Sequence, residues 1–332
     1  MRFEAERIGI VKLGAIGDVV NSLPFVNRLR AAAPHARITW IIAPLAHGLV
    51  AGHPAVDEFL VADVKRSANW MPLRRELRAR RFDLVIDLQR ILKSALIARA
   101  TGARYRVGFD RARSKEGAWL FATDRIPANP RPGVTVAQYL EFADFLGCPA
   151  VTPRYDLPVE PFAPPAAAEK RIVVHTGATK SANRWYADKW AALCARLVGE
   201  LGATVHLSGS ANEADEIAAI RARAGVNPQS IVSHAGQLSL KETGGLIASS
   251  RLFIGPDTGP LHMAAAVNTP VVALFGAADP ARTGPFRVRQ ALVSHAVPCS
   301  PCRRRDCNVE GHPCMRDLEV DAVFEAARLI LG

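Results

Sequence analysis

FIGPDTGPLHMAAAVNTPVVALFG, residues Phe253–Gly276, sets the plan of the chain. An apolar run breaks at Gly255-Pro256, Asp257-Thr258-Gly259 precede a helical pattern carrying Leu261, His262 and Ala264–Ala266, and a second apolar run, Val271–Phe275, follows. This is a strand, turn, helix and strand. Polar groups and a glycine stand where unpaired backbone N–H groups and the helix dipole favour an anion, so the turn is expected to seat a phosphate. Asp257 and Thr258 equally suit an ordinary helix N-cap, and Gly259 an ordinary tight turn. His262, on the first turn of the helix, favours the site only in combination with the rest of the chain.

Upstream the same plan repeats. Arg171–His175 (RIVVH), Ala203–Ser208 (ATVHLS) and Ile231–Ser233 read as buried parallel strands, separated by helical patterns at Trp190–Leu201, Glu213–Arg223 and Leu238–Ser249. The loop after RIVVH, Thr176–Trp185, carries Thr179 and two cations suited to a diphosphate, Lys180 and Arg184, and the loop after ATVHLS offers the carboxylate of Glu213 to a ribose.

Before it, PAVTPRYDLPVEPFAPPAAA (149–168) is too rich in proline for a helix or central strand, so an extended connector is expected at 156–170. It would join an N-terminal domain, 1–155, to a C-terminal domain, 171–332. The N-terminal domain opens with Arg7–Val11, then Lys12-Leu13-Gly14-Ala15-Ile16-Gly17-Asp18, then apolar residues at helical spacing. The glycines do not make the G-x-G-x-x-G of a dinucleotide fold. Asp18 stands at the carboxyl end of the first strand, where open α/β sheets collect ligands. It is either a helix cap or a general base in a cleft. Pro24 is expected near the start of its helix.

Arg37–Ile42, Phe59–Val61 and Asp83–Asp87 complete a second alternating pattern, which makes the fold class α/β with parallel sheets wound on both faces. Leu73–Arg81 is a basic helix, either a solvated face or a surface for an anionic acceptor or membrane. Gln89, Lys93 and Arg113 lie in polar or basic loops after strand patterns and are candidates for an acidic substrate.

With 332 residues and 49% apolar content, two domains can each build a core. The formal charge of +11 implies acidic partners. With only four tyrosines and no basic-aromatic interleaving, a stacking platform for single-stranded nucleic acid is not seen, and no nucleic-acid partner is expected. No signal-peptide pattern or membrane-spanning run is read, so a cytoplasmic protein is expected. Two halves, an acid on one and a diphosphate seat on the other, suit transfer from a nucleotide-activated donor by single displacement.

The chain resembles the bacterial ADP-heptose:lipopolysaccharide heptosyltransferases, family 9 glycosyltransferases of GT-B fold. The resemblance rests on Lys12–Val19 with Ser22-Leu23-Pro24, on Asp87-Leu88-Gln89 with Lys93-Ser94, on Gly108-Phe109-Asp110, and on Asp257-Thr258-Gly259-Pro260-Leu261-His262. It implies two Rossmann-like domains facing across a cleft and inverting transfer of heptose from ADP-L-glycero-D-manno-heptose to the Kdo/heptose inner core of lipopolysaccharide. The alternatives are another nucleotide sugar, a protein acceptor, or a non-catalytic nucleotide-sugar-binding protein. It also implies Asp18 as base, donor contacts from Asp257, Thr258, Gly259, His262 and Glu213, and acceptor contacts from Gln89, Lys93 and Arg113. No cofactor is implied for catalysis, and the charge suggests peripheral association with the inner membrane. The family often has lysine two residues before the tryptophan of the loop after RIVVH; here that residue is Asn183, and Lys180 with Arg184 are expected to supply the charge.

Cys299, Cys302, Cys307 and Cys314 lie within one short C-terminal stretch. Their spacing suits either a structural zinc or iron or a set of reduced thiols. Cys148 and Cys194 fall in helical patterns and are expected in the core.

Overall fold

The computed structural model describes residues 3–64, 67–163 and 170–332. The chain divides into two compact units, Met1–Pro158 and Val159–Gly332. Of the connector expected at 156–170, residues 164–169 lie outside the described residues. The stretch before them is tied down on either side of the division. Asn27 donates to the Arg154 carbonyl and His53 contacts the Tyr155 carbonyl within the first unit, while Glu160 N donates to the Lys241 carbonyl within the second.

In the first unit six parallel strands, β1 (Arg7–Val11), β2 (Arg37–Ile42), β3 (Glu58–Val61), β4 (Leu84–Asp87), β5 (Tyr105–Gly108) and β6 (Asp124–Arg125), take the order 3-2-1-4-5-6. Val11 pairs with Ile41 on one side and with Asp87 on the other, so β1 and β4 are neighbours although β2 and β3 lie between them in sequence. That reversal of winding is the switch point where such sheets bind ligands outside the carboxyl ends of their strands. Alternate residues point to opposite faces, and both Ile10 and Val11 are fully buried, so helices cover the sheet on both sides. Val11, Ile41 and Val85 pack with Leu73, Leu77 and Ile97 in one cluster. The helix Ile16–Ala32 meets Thr135–Phe145 elsewhere, with Phe25 and Phe142 edge to face at 6.2 Å.

Pro24 does not stand near the start of its helix but in the middle of Ile16–Ala32. Its missing N–H costs a backbone bond. Val19, Val20, Leu23, Phe25, Val26 and Leu29 are all fully buried, each worth about 1.5–3 kcal/mol, which carries the helix through. In the basic helix, Trp70–Ala79, Leu73 and Leu77 face the core and the Arg78 guanidinium donates to the Ala100 carbonyl.

The second unit repeats the topology: β7 (Lys170–His175), β8 (Ala203–Ser208), β9 (Ile231–Ser233), β10 (Leu252–Pro256), β11 (Val271–Phe275) and β12 (Gln290–Ser294) in the order 12-11-10-7-8-9. Its switch point lies between β7 and β10. Ile172, Val174, Val205 and Ile254 share a core with the helix Ala187–Leu201 and with Val320–Leu331. Cys148 and Cys194 are buried as expected. No helix among the described residues is long and apolar enough to cross a membrane.

Candidate active site

The turn after β1 places Asp18 as the third residue of its helix, whose N-cap is Ala15 with no side-chain cap bond. The carboxylate instead accepts from Lys12 Nζ at 3.0 Å, with Lys12 only 1% and Asp18 42% exposed in their side chains. A buried ammonium thus holds the inner oxygen of an acid whose outer part reaches solvent. Burial pulls the Lys12 pKa down, but the Asp18 charge and the Tyr139 hydroxyl outweigh it and the net shift is upward, so Lys12 stays charged. Trp40 Nε1 donates to the Lys12 carbonyl at 3.0 Å and fixes the end of β1.

Gln89 follows β4 directly across the switch point. Its Oε1 accepts from Leu13 N at 3.0 Å and from Gly14 N at 3.3 Å, so the side chain expected to meet an acceptor holds the Asp18 loop in place. Asp87 accepts from Gln89 N and from Ser94 Oγ, both at 2.9 Å. Burial pushes its pKa up to about 6, against the pull of those two donors and of Lys12.

Lys93 is exposed on the first turn of Leu92–Thr101, close in sequence to the β4 end. Arg113 points inward: its guanidinium bonds Asp110, Glu141 and the Pro127 carbonyl, and its side chain is 9% exposed. Its neighbour Arg90 stacks 4.0 Å above the Phe109 ring.

In the second unit, Asp257 closes β10 and Thr258 is the N-cap of Gly259–Ala266. Neither provides the ordinary cap, because Thr258 Oγ1 donates back to the Pro256 carbonyl and Asp257 Oδ2 accepts from Thr283 Oγ1 at 3.1 Å. The first N–H groups of the helix are left without a side-chain cap. His262 Nε2 lies 3.5 Å from Asp257 Oδ1, both side chains largely buried.

The loop after β7 joins this turn through the buried Asn183, whose Nδ2 donates to the Asp257 carbonyl at 3.3 Å while its Oδ1 has no protein partner. Thr179 and Arg184 are exposed and Lys180 half-buried; Arg184 Nε donates to the Ala178 carbonyl at 3.2 Å. Glu213 follows β8, and its carboxylate accepts from Ser210 N at 2.7 Å. It lies so close to Gly177 that a Cβ there would collide with it, which brings the β7 and β8 loops together at the switch point. His175, at the end of β7, has its pKa lowered by burial despite the nearby Glu213 charge, so it is held neutral and hydrogen-bonds Ser208 Oγ at 3.1 Å.

Residues 70–312, well over half of the chain, match the model for glycosyltransferase family 9 (heptosyltransferase). The chain belongs to that family. Among curated relatives, this family 9 glycosyltransferase is 29% identical to lipopolysaccharide heptosyltransferase 1 of Pseudomonas aeruginosa, over 92% of this chain and 88% of that one. It is 26% identical to lipopolysaccharide core heptosyltransferase OpsX of Haemophilus influenzae, over 86% of this chain and 83% of that one. Its fold matches the solved structure of the E. coli ADP-heptose lps heptosyltransferase II with a TM-score of 0.79 at 24% identity, covering 98% of each chain. The two Rossmann-like sheets are those of that fold.

Sequence reading passed over several groups of the candidate sites. Lys12 had a visible signal, a cation ending an apolar strand a turn before an acid. Tyr139, brought in from the helix Thr135–Phe145, and Thr283, from Pro280–Thr283, had none, since only tertiary packing places them.

Proposed function

We propose that this protein transfers heptose, with inversion, from ADP-L-glycero-D-manno-heptose to the inner core of lipopolysaccharide. The observation that carries the reading is the Lys12–Asp18 pair at the β1–β4 switch point of a family 9 chain. The first unit receives the acceptor, and its Asp18 takes the proton of the attacking hydroxyl. Lys12 fixes the rotamer of that acid. Lys93 meets acid groups of the acceptor.

The second unit receives the donor. Glu213 takes a ribose hydroxyl, the uncapped start of Gly259–Ala266 with Asp257, Thr258 and His262 seats the diphosphate and neighbouring sugar, and Lys180 with Arg184 offset charge on the departing ADP. As the bond from the anomeric carbon to the diphosphate oxygen breaks, the acceptor oxygen bonds that carbon from the other side. The residues in named roles need no metal. The protein works in the cytoplasm, and its basic charge holds it at the anionic inner face of the membrane.

A second donor is favoured by one observation: Asn183, an amide with a free acceptor oxygen, stands where the resemblance calls for lysine. The test is transfer assayed with ADP-heptose and with GDP- and UDP-sugars onto Kdo-lipid A and heptosyl-Kdo-lipid A. Product with ADP-heptose on either acceptor supports the proposal. Product only with another nucleotide sugar replaces it.

A further inference from the structure

The transfer chemistry leaves two features unused. One is the cavity of the second unit lined by Cys299, Cys302, Cys307 and Cys314, where among the described residues no three metal-ligating side chains converge on one point. The other is an apolar face on the first unit. In the helix Leu92–Thr101 the exposed residues are Leu92, Lys93, Leu96 and Arg99, which fall on one side at helical spacing, and the helix contains no acid. The short turn Ala118–Phe121 packs against it and leaves Leu120 65% exposed. Scattered surface leucines need no explanation, but three on touching elements, interspersed with cations, mark an interaction surface.

The fold holds this face in shape. Lys115 N donates to the Arg90 carbonyl at 2.8 Å and Leu92 N to Glu116 Oε2 at 3.2 Å, which ties the loop after β5 to the start of the helix. Trp119 lines a narrow cavity with Ala95 and Ala98, so its ring lies against the helix while part of it reaches solvent. The guanidinium groups of Arg111 and Arg125 stand 5.1 and 5.6 Å from that ring. An indole flanked by arginines joins an apolar body to charged edges, the combination that a bilayer interface accommodates. The two acids of residues 111–125, Glu116 and Asp124, accept bonds from Leu92 N and Thr123 Oγ1, while Arg111, Lys115 and Arg125 stay exposed.

We propose that Leu92, Leu96, Leu120 and Trp119 enter the headgroup layer of an anionic phospholipid bilayer, with Arg111 and Arg125 on its phosphates. The face is basic and so is the whole chain, at +11, so a second copy is repelled and an anionic surface attracted. Its place fits this partner. Ser94 Oγ donates to Asp87, and Gln89 holds the Asp18 loop, which fixes the start of the helix to the rim that carries the candidate base. An acceptor anchored in the same bilayer presents its sugars at that rim. The proposal rests on the reading of the acceptor as lipid-linked, and it replaces attraction by overall charge with a defined surface.

The experiment sediments the full chain with vesicles of phosphatidylcholine alone, or with about 30% phosphatidylglycerol, at low and high salt. Wild type should bind the anionic vesicles about 10-fold or more tightly than the neutral ones, and less tightly as salt rises. The double variant Leu96→Ser with Leu120→Ser keeps the net charge and should lose about 10-fold in affinity. Arg111→Gln with Arg125→Gln should lose about as much, whereas Arg74→Gln with Arg75→Gln, exposed on the helix Trp70–Ala79, removes the same charge and should stay within about 3-fold of wild type. Every altered position is exposed, so Tm should not move, and a Tm measured for each variant separates lost binding from lost folding.

Wild type that ignores anionic vesicles overturns the proposal. So does a leucine variant that binds as wild type does, or an Arg74 and Arg75 variant that loses as much as the Arg111 and Arg125 variant. Wild type that is dimeric by sedimentation equilibrium, and monomeric once Leu96 and Leu120 are serine, assigns the face to a second copy instead. The vesicles hold neither donor nor acceptor, so the surface and the transfer reading fail separately. Vesicle binding without heptose transfer refutes only the latter, and transfer to the lipid-linked acceptor that the leucine variant performs at the wild-type rate refutes only the former.

Discussion

Lys12 Nζ lies 3.0 Å from Asp18 Oδ2, with the lysine buried and the aspartate reaching solvent. The unequal burial gives the pair its direction. An ammonium taken out of water depends on its partner, so the lysine needs the carboxylate for stability, and the lysine holds the carboxylate in place.

The dependence should appear in a double-mutant cycle. Asp18→Asn leaves Lys12 with Tyr139 and without its counter-charge and should cost about 1–3 kcal/mol of unfolding free energy. Lys12→Met should cost a similar amount, and the double variant clearly less than the sum, with a coupling of about 1 kcal/mol or more by urea denaturation. Additive costs would mean the contact has no energetic weight.

Gln89 gives a sharper separation. Because its Oε1 accepts from Leu13 N and Gly14 N, Gln89→Leu strands two backbone donors beside Asp18, worth about 1–3 kcal/mol, and should reduce kcat while leaving acceptor KM within about 2-fold. Gln89→Glu keeps the accepting oxygen and should recover most of the rate. If acceptor KM moves instead, the side chain meets substrate directly.

Lys93 and Arg113 were expected to act alike, and the structure separates them. Lys93→Gln, at an exposed position, should leave Tm unchanged and raise acceptor KM about 3- to 10-fold. Arg113→Gln breaks bonds to Asp110, Glu141 and the Pro127 carbonyl and should lose about 2–4 kcal/mol of stability, with any KM effect secondary. Equal KM effects with equal Tm would overturn this division of roles.

Asp87 has a pH signature. Its folded pKa of about 6 lies above its ordinary 3.8, so between those values the folded protein binds the proton more tightly than the unfolded chain. Its contribution favours folding at low pH and is lost as pH rises from about 4 to about 6. Asp87→Asn removes the buried charge, keeps the Gln89 bond through Oδ1 and reverses the Ser94 bond, Nδ2 donating to Oγ while Oγ donates to the Ile91 carbonyl. It should therefore be more stable than wild type at pH 8 by about 2 kcal/mol, and the gap should close toward pH 4. Denaturation at several pH values checks it, and a pH-independent gap would contradict it.

Much of this was legible in the sequence because the strands of both sheet centres are buried on two faces and read as continuous apolar runs. The strands β5, β6 and β12 were not read. Asp124–Arg125 is two residues long, and Gln290–Ser294 alternates exposed with half-buried residues at a sheet edge, so neither shows the apolar run that marks a central strand. The glycine turns at Gly14–Gly17 and Gly255–Gly259 marked both strand ends that carry the candidate site. Which cations face a ligand was not legible, because charge says nothing of direction. Arg113 turns inward only because Asp110 and Glu141 await it, and Glu141 comes from a helix far along the chain.

Transfer by the Asp18→Asn protein tests the central claim most directly. With ADP-heptose and the acceptor that wild type uses, below the melting temperature of the variant, kcat should fall by about 10³-fold or more while the Kd for ADP stays within about 3-fold. A variant that still transfers heptose within about 10-fold of the wild-type rate would show that Asp18 is not the base.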